Sequence, residues 1–485
     1  AKLAIGPAIE NGFYYDIDFT KPISNADLEA IEKEMNAIVK ADYPFVRKVV
    51  SRAEALAFMK EQGETYKVEL IEELPEDATI TFYTQGEFTD LCRGPHVPST
   101  GKIKCFKLTQ ITGAYFKGNE KNKMLTRIYG VAFEKKSEME EYLKAVEDAK
   151  LRDHNKIGRD LGYFMTSDVI GQGLPLLMPK GARLFQILNR FVEDEERRRG
   201  YVLTKTPYMA KSDLYKISGH WDHYQDGMFI MGDESKGEEV LALRPMTCPF
   251  QYTVYNNGLK SYRDLPLRYG ETSTLFRNEA SGEMHGLIRV RQFTLSEGHL
   301  ICMPSQLETE FRGCLDLAMF MLKSLGLDGD VSYRFSKWDP NNKEKFIDDP
   351  KEWAYAEGEM KRILDHIGLE YTEGIGEAAF YGPKLDIQIK NVYGKEDTLI
   401  TIQIDMFLAE RFDMSYIDEN GNKARPYIIH RSSIGCYERT MALILEKYAG
   451  ALPVWLSPTQ VRVLALTDRT ADKVKEITDK LNVAG

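Results

Sequence analysis

A thiol and two imidazoles stand out among the residues that could do chemistry, although they are far apart along the chain. They are Cys248 in the segment 244–249 (RPMTCP), His299, and His430 at the start of 430–439 (HRSSIGCYER). A thiolate sulfur and two imidazole nitrogens can bind zinc, and three such ligands leave a coordination position for substrate. Taken alone, three scattered residues fit a buried cysteine and two structural histidines better. The sequence segments around these three residues, however, favour the zinc site.

Two of those segments resemble the second and third signature motifs of the class II aminoacyl-tRNA synthetases. The second motif is matched by 276–279 (FRNE) and 286–293 (GLIRVRQF), and the third by 434–439 (IGCYER). Segments 13–17, 90–96, 122–125, 219–222 and 380–384 are similar to the threonyl-tRNA synthetases within that class. The resemblance implies an α+β multidomain protein with an antiparallel sheet flanked by helices, an N-terminal α+β editing-type domain and the start of a C-terminal α/β domain.

The resemblance also implies ATP-dependent attachment of threonine to tRNA(Thr) through a threonyl-adenylate, with Mg²⁺ accompanying ATP. The protein must then position two anions and neutralise charge, and it supplies no nucleophile of its own. Arginine suits this task because its planar fork binds phosphate oxygens in pairs. By resemblance, Arg277 contacts the α-phosphate, and Arg289 and Arg439 contact the outer phosphates. The other residues expected at ATP are Phe293, stacked on adenine, with Glu279 and Gln403.

Alternation along one strand predicts that a single face carries much of this site. Alternate side chains of an extended strand project to the same side, and here they are Arg289, Arg291, Phe293, Leu295, Glu297 and His299. Such a face could hold phosphate, adenine and a metal together.

Zinc on Cys248, His299 and His430, one ion per chain, would account for amino-acid specificity. Threonine differs from valine by a hydroxyl in place of a methyl, and an apolar pocket separates such isosteres poorly. By resemblance the metal reads the amino and hydroxyl groups of threonine, while Tyr381 and Lys384 complete the amino-acid side of the pocket.

Three positions depart from the pattern of this family, and a fourth has a loosely defined role in it. Glu297 and Leu295 stand where better-known members have Asp and Gln, and Thr398 stands where they have Gln. Glu297 keeps a carboxylate near the threonine hydroxyl, whereas Leu295 and Thr398 alter contacts to substrate and adenine. His220 lies where the family has been proposed to assist proton removal during transfer to tRNA, or it orients the RNA end.

Serine also offers a hydroxyl, and its missing methyl is worth only about 1–3 kcal/mol, so a second, hydrolytic sieve is expected. Cys92 and His96 are separated by Arg-Gly-Pro, which favours a loop. In the family, such a pair hydrolyses seryl-tRNA together with a histidine pair that would precede residue 1, so we expect an incomplete pocket here. The companions expected are Tyr14, Lys67 and Asp90, and the alternative is a purely structural loop.

Composition fits a globular cytoplasmic protein. The 485 residues carry a net charge of −10, and the six cysteines have irregular spacings, as in reduced proteins and unlike disulfide scaffolds. We find no long apolar run, so no membrane span is expected. Binding of one folded RNA needs only a local basic surface, such as residues 197–199 or Lys102, Lys104 and Lys107, although solvated faces are the simpler interpretation.

Four regions are predicted along the chain. Residues 1–135 form the editing-type domain, with a strand at 13–19 and an amphipathic helix after Asn25; residues 136–164 contain a connector helix at about 137–153. The catalytic domain covers 165–452. Residues 453–485 begin an anticodon-binding domain with a strand at 461–466 and a helix at 470–481, and we expect the chain to be a fragment at both ends.

A helix from Ala182 to Arg199 is the clearest helical pattern, with Leu184, Leu188 and Val192 on one face and Gly200 as its stop. Class II synthetases use such a helix, with the strand at Pro207, as a dimer interface. A homodimer is therefore expected, although an ordinary core helix would show the same pattern.

Two rivals remain. A prolyl or seryl class II enzyme would share the motifs, but the set of zinc ligands argues against it. A regulatory or RNA-binding paralogue that has lost catalysis would typically lack Arg277, Arg439 or a metal ligand, and all are present.

Overall fold

The computed structural model describes residues 1–9 and 12–484, which fall into two compact units, Ala1–Asp148 and Ala149–Gly485. Both units mix helices with mainly antiparallel sheets, which confirms the predicted fold class. The domain boundaries at 135, 164 and 452 remain predictions.

The described part of the first unit contains two small antiparallel sheets, three complete helices and most of a fourth. Its strands are β1 (Lys2–Leu3), β2 (Ala8–Ile9), β3 (Gly12–Asp18), β4 (Val46–Val50), β5 (Ile80–Gln85), β6 (Phe88–Leu91), β7 (Cys105–Tyr115) and β8 (Met124–Phe133). One sheet has the order β1-β3-β8-β7, with β2 paired to β3, and the other has the order β4-β5-β6. The helices are α1 (Leu28–Ala41), α2 (Arg52–Glu61) and α3 (Thr65–Glu72).

Local sequence explains where these elements begin. Ser24 and Ser51 each form a capping box, in which the serine side chain and an acidic side chain three residues later satisfy backbone amides. Ser24 opens a short 3-10 turn that leads into α1, so the predicted amphipathic helix is confirmed. The predicted strand at 13–19 is β3.

The helix α4 (Lys136–Arg152) confirms the helix predicted at 137–153, and the boundary between the two units falls within it. The remaining helices are α5 (His154–Leu161), α6 (Pro179–Arg198), α7 (Ser212–Ser218), α8 (His220–Tyr224), α9 (Cys248–Tyr255), α10 (Leu307–Leu325), α11 (Pro350–Ile367), α12 (Leu408–Arg411), α13 (Tyr437–Lys447) and α14 (Ala471–Ala484). Every helix in residues 1–9 and 12–484 is too short or too polar to span a bilayer.

An eight-stranded sheet in the order β11-β15-β16-β23-β20-β19-β17-β18 forms the centre of the second unit. Its strands are β11 (Val202–Leu203), β15 (Leu267–Phe276), β16 (Gln292–Cys302), β17 (Val331–Lys337), β18 (Thr372–Ile375), β19 (Lys384–Lys390), β20 (Glu396–Asp405) and β23 (Tyr427–Cys436). The short strands β9 (Phe164–Met165), β10 (Leu176–Leu177), β12 (Met209–Lys211), β13 (Ile230–Met231), β14 (Leu241–Leu243), β21 (Tyr416–Ile417) and β22 (Lys423–Ala424) form three small sheets. Helices α6, α10, α11 and α13 contribute to the apolar core on the sheet.

The helix predicted from Ala182 is α6, which begins three residues earlier because Pro179 suits the first helical position. Leu184, Leu188 and Val192 are fully buried in the core of their own unit. Gly200 follows the helix with φ +81°, a left-handed conformation that glycine adopts without steric cost. The apolar stripe therefore packs inside the unit, as an ordinary core helix does.

The strand predicted from Arg289 is shorter than expected. It begins at Gln292, and its pairing with β23 shifts between Leu295 and Glu297. Arg291 lies before the strand, where its guanidinium donates to the backbone carbonyl of Glu279 at 3.1 and 3.2 Å. The prediction that strand alternation places Arg289 and Arg291 on the face of His299 is wrong, because both residues lie before the strand.

The strand predicted at 461–466 is also wrong, whereas the helix after it is present as α14. Val461, Leu464 and Leu466 are 62%, 71% and 95% exposed. A β-rich sequence needs a neighbouring strand to pair with, and no described strand pairs with this segment.

The two basic clusters differ in their surroundings. Arg197, Arg198 and Arg199 pair with Asp194 and Glu195 of their own helix, which favours the interpretation of a solvated face. Lys107 pairs with Glu32, while Lys102 and Lys104 are exposed. RNA binding by these clusters remains a prediction.

Candidate active site and metal centre

A cavity of about 1040 Å³ in the second unit gathers most of the predicted site residues. Residues of β16, β20 and β23 line it, together with the segments before β16 and before β19. The predicted residues that line it are Cys248, Arg277, Glu279, Arg289, Phe293, Glu297, Tyr381, Lys384, Gln403, His430, Arg439 and His220, together with Leu295 and Thr398.

Cys248, His299 and His430 converge although they come from three elements. Cys248 begins α9, and the two histidines are directly opposite each other on the paired strands β16 and β23. One ligand atom from each residue lies within 4.8 Å of the other two, and all three residues are buried. Antiparallel pairing therefore brings together side chains that are 131 positions apart in sequence.

The chemistry of this cluster fits a metal ion. His299 Nε2 is buried and has no hydrogen-bond partner among the described residues, and an orphaned buried polar atom is costly unless something binds it. Burial raises the pKa of the Cys248 thiol and lowers that of His299. A soft sulfur with two neutral imidazole nitrogens is a donor set that suits zinc.

A second group, Asp153, His154 and His285, also places its ligand atoms close together. Both nitrogens of His154 are already engaged, however. Nδ1 lies 2.7 Å from Glu446 Oε1, and Nε2 accepts from the Leu287 amide at 3.2 Å. This group therefore lacks a free imidazole nitrogen on its buried member.

The predicted phosphate-binding arginines face the cavity from three directions. The Arg277 guanidinium lies 5.1 Å from the centre of the Phe293 ring. Arg289 is held by Glu279 at 2.8 Å and by Glu283 at 3.2 Å. Arg439 is oriented by the backbone carbonyls of Ile288, at 3.0 Å, and Thr398. Among the described residues, Arg289 pairs with two carboxylates, whereas the partners of Arg277 and Arg439 are backbone carbonyls. The guanidinium groups of Arg277 and Arg439 can therefore receive an anionic ligand.

The third motif requires a glycine at position 435, which lies in β23 four residues before Arg439. Its φ is +75°, and a Cβ there would lie 2.0 Å from the backbone oxygen of Leu399. Any other residue would push β23 away from β20.

The expected amino-acid pocket lies beside the metal cluster. The Tyr381 ring stacks on the His430 ring at 4.8 Å, and its hydroxyl donates to Gln403 Oε1 at 2.5 Å. Lys384 pairs with Asp386 at 3.1 Å. Gln403, which the sequence analysis placed at ATP, therefore contacts Tyr381 on the amino-acid side of the pocket.

Glu297 lies between Cys248 and His299. Its Oε1 is 3.6 Å from His299 Nε2, and its Oε2 accepts from the Thr247 amide at 3.2 Å. Burial raises its pKa. The extra methylene of glutamate thus brings a carboxylate close to the cluster.

The other two residues that differ from the family pattern, Leu295 and Thr398, contact their immediate neighbours. Leu295 packs beside an apolar group formed by Leu275, Val290 and Phe293. Thr398 accepts a hydrogen bond from Gln388 at 2.8 Å, and its backbone carbonyl still holds Arg439.

His220 is buried at the cavity wall, with its ring edge-on to Phe380. Its Nδ1 lies 2.8 Å from Ser218 Oγ, which itself donates to the Tyr215 carbonyl. The serine hydroxyl must therefore accept from Nδ1–H, and Nε2 keeps its lone pair. Burial, followed by the charge of His430, lowers the pKa of His220 to about 3, so this imidazole is neutral and weakly basic.

The predicted editing residues form two contacts in the first unit. Cys92 Sγ lies 3.2 Å from His96 Nε2 in the loop after β6, as expected. Lys67 is buried and pairs with Asp90 at 2.9 Å. Burial lowers the pKa of His96, and the Asp90 charge opposes that shift.

Tyr14 does not join the contacts of Lys67 and Asp90. Its ring packs against Tyr129 and the Arg127 guanidinium. Neighbouring residues of a strand point to opposite faces, and Tyr15 hydrogen-bonds to both Lys67, at 2.9 Å, and Asp90. The structure thus brings Tyr15 to Lys67 and Asp90, where the sequence analysis placed the adjacent Tyr14.

Sequence reasoning missed three buried polar residues that touch the metal cluster or its histidines: Gln251, Tyr252 and Asp405. The sequence signal that could have identified these residues is a polar side chain within an otherwise apolar helix or strand.

Comparison with known proteins identifies the class first. Residues 229–448 match the tRNA synthetase class II core domain (G, H, P, S and T). Residues 80–129 match the threonyl and alanyl tRNA synthetase second additional domain. The chain therefore has a class II tRNA synthetase core and an editing-type additional domain.

Comparison with individual relatives identifies the family within this class. The chain is 65% identical to a threonine–tRNA ligase of Clostridium botulinum and 49% identical to one of Halalkalibacterium halodurans, in each case over 100% of the chain and 75% of the relative. A crystal structure described as the RNA binding domain of threonyl-tRNA synthetase from Cryptosporidium parvum matches with a TM-score of 0.64 and 35% identity, covering 69% of this chain and 82% of that one. This protein belongs to the threonine–tRNA ligase family.

Proposed function

We propose that the chain attaches threonine to tRNA(Thr) through a threonyl-adenylate. The observation that carries this proposal is the position of the cluster of Cys248, His299 and His430, because Cys248 and His430 line the same cavity as Arg277 and Arg439. Such a cavity can hold an amino acid and a nucleotide next to each other. The family of the chain supports the same substrates.

In the first step, a carboxylate oxygen of threonine forms a bond to the α-phosphorus of ATP, and pyrophosphate leaves with its electron pair. Arg277 neutralises the α-phosphate, and Arg289 and Arg439 hold the outer phosphates with the Mg²⁺ that accompanies ATP. Phe293 and Glu279 contact the nucleotide. Charge stabilisation and alignment supply the rate, because none of these residues acts as a nucleophile.

The amino acid binds next to the metal cluster. Cys248, His299 and His430 would hold one zinc ion, which when bound supplies a Lewis-acid site for the amino and hydroxyl groups of threonine. Tyr381, Lys384 and Gln403 close the pocket around the amino acid. The Glu297 carboxylate offers an acceptor for the threonine hydroxyl, and a valine methyl would leave this buried carboxylate without that hydrogen bond.

In the second step, a terminal ribose hydroxyl of tRNA attacks the threonyl carbonyl and AMP leaves. The Nε2 lone pair of His220 can accept a hydrogen bond from that hydroxyl. A pKa of about 3 makes this imidazole a poor proton acceptor at neutral pH, so its role is to orient the RNA end.

We also propose a homodimer in the cytoplasm. Val202, Leu203, Tyr208 and Met209 follow α6 and are each more than 40% exposed, which supports an apolar contact surface in the region expected from the family. All six cysteines are free, which supports a reducing compartment.

The test of activity is ATP–pyrophosphate exchange measured with each of the twenty amino acids. Threonine should give the strongest exchange, and serine a weaker but detectable one, because serine keeps the hydroxyl and lacks only a methyl. Strongest exchange with proline or serine would instead assign the chain to another class II specificity.

We propose that the first unit hydrolyses seryl-tRNA. Cys92 with His96, and Lys67 with Asp90, provide polar groups that could orient water and the ester. Tyr15, whose hydroxyl contacts both Lys67 and Asp90, joins this group.

Replacing Cys92 with alanine should lower hydrolysis of preformed seryl-tRNA by at least about tenfold if its thiol positions the substrate or water. Hydrolysis should be compared in the chain and in a form extended by the preceding segment of a relative, which is expected to add the histidine pair. Cys105→Ala is the matched control, because this thiol hydrogen-bonds to the Phe133 carbonyl and lies outside the Cys92–His96 pair. Hydrolysis that does not depend on Cys92 in either form would refute the editing proposal.

A further inference from the structure

We propose that Glu271, Thr204 and Gln251 form a hydrogen-bond relay that fixes the tautomer of His299, and that Asp405 does the same for His430. These residues position the two imidazoles so that His299 presents Nε2 and His430 presents Nδ1 to the metal. The inference rests on the proposed metal site and deepens it, because it names the residues that decide which nitrogen atoms can coordinate.

The relay begins at a buried carboxylate. Glu271 is 1% exposed and pairs with Arg244 at 3.1 Å, and it also accepts from the Thr206 amide at 3.2 Å. An ionised carboxylate can only accept hydrogen bonds. The Thr204 hydroxyl, 2.9 Å from Glu271 Oε2, must therefore donate its single proton in this hydrogen bond.

The next link follows from that constraint. Because its proton is committed, Thr204 Oγ1 can only accept from Gln251, whose amide nitrogen lies 2.7 Å away. The Gln251 amide is thereby oriented with its oxygen toward His299, 2.5 Å from Nδ1. A carbonyl oxygen can only accept, so Nδ1 carries the proton and Nε2 keeps its lone pair.

Among the described residues, His299 Nε2 is one of four buried side-chain nitrogens without a hydrogen-bond partner, and the other three belong to Arg244 and Arg431. Without the threonine hydroxyl, the Gln251 amide could turn and present its NH₂ group to Nδ1. That orientation would favour a proton on Nε2, and a protonated nitrogen cannot bind a metal.

The second histidine is fixed by a shorter arrangement. Asp405 Oδ1 accepts from the amides of Phe407 at 3.0 Å and Leu408 at 2.9 Å. Its Oδ2 accepts from His430 Nε2 at 2.9 Å, and the Tyr252 hydroxyl lies 3.1 Å from the same nitrogen. Nδ1 of His430 is therefore the nitrogen left with a lone pair.

The most discriminating variants are at Thr204, which touches neither the substrate cavity nor the ligands. Thr204→Val removes the hydroxyl at nearly constant shape, while Thr204→Ser keeps it. Loss of an outer partner typically costs 10- to 100-fold in metal affinity. Zinc affinity, measured by chelator competition, should fall by about tenfold in the valine variant and stay near the unaltered value in the serine variant.

Cobalt substitution gives a readout of coordination itself. The visible d–d absorption of the Co²⁺-loaded chain should change in Thr204→Val and not in Thr204→Ser. Gln251→Leu and Asp405→Asn should each weaken zinc binding by about 10- to 100-fold, and circular dichroism would check that each variant is folded.

Two outcomes would overturn the proposal in different ways. If folded Thr204→Val and Gln251→Leu bind zinc as tightly as the unaltered chain, with the same cobalt spectrum, the relay is wrong and the metal site stands. If the unaltered chain itself binds neither zinc nor cobalt, the proposed metal site is wrong and the relay falls with it.

Discussion

Replacing Arg277 with alanine should lower threonine-dependent pyrophosphate exchange by about 10²- to 10³-fold, the usual cost of removing a group that stabilises transition-state charge. Its guanidinium lies on the cavity wall over the Phe293 ring, and its hydrogen bond to the Pro245 carbonyl is long, at 3.4 Å. The loss should appear mainly in kcat, because the attack concentrates charge on the α-phosphate.

Arg263→Ala is the matched control, because the side chain of this exposed arginine hydrogen-bonds to the neighbouring Tyr262 and lies outside the cavity. Both variants should keep the circular dichroism spectrum of the unaltered chain. Exchange at the unaltered rate in folded Arg277→Ala would show that the phosphate-binding arginine has been misassigned.

Replacing Cys248 with serine should remove zinc and threonine activation together. A serine hydroxyl is a much poorer zinc ligand than a thiolate, and the two histidines alone make an incomplete site. We expect substoichiometric zinc by elemental analysis and a fall in exchange of at least about 10²-fold, since recognition of the hydroxyl is lost.

Cys314→Ser is the control for this change, because Cys314 is equally buried and lies in the apolar core beside Tyr201. It should retain zinc even if its stability falls. Full exchange in a Cys248→Ser protein that contains no zinc would contradict the assigned role of the metal.

The elements with strong periodicity could be predicted from sequence. The helix α6 followed from spacing alone, because its buried apolar side chains repeat with the period of a helix, whereas the strand β3 followed from a run rich in aromatic residues. The strand at 461–466 has an equally good β pattern, yet it is not formed, since strand formation depends on a pairing partner that local sequence does not encode.

The cavity residues could be predicted only as far as motifs name them. Arg277, Arg439 and the three metal-ligand candidates came from recognisable segments, and the fold places them together. Gln251 and Asp405 could not be found in this way, because their importance lies in which atom of a distant histidine they face. The choice between Tyr14 and Tyr15 likewise depended on which face of β3 meets Lys67.

The central claim is that the cavity selects threonine by its hydroxyl group, and the most direct test is the ratio of kcat/KM for threonine and valine in pyrophosphate exchange. A site that binds the hydroxyl through buried polar groups should favour threonine by about 10⁴-fold or more. An apolar pocket would separate these isosteres by only about 10²-fold. A ratio near or below 10² with zinc bound would contradict the account.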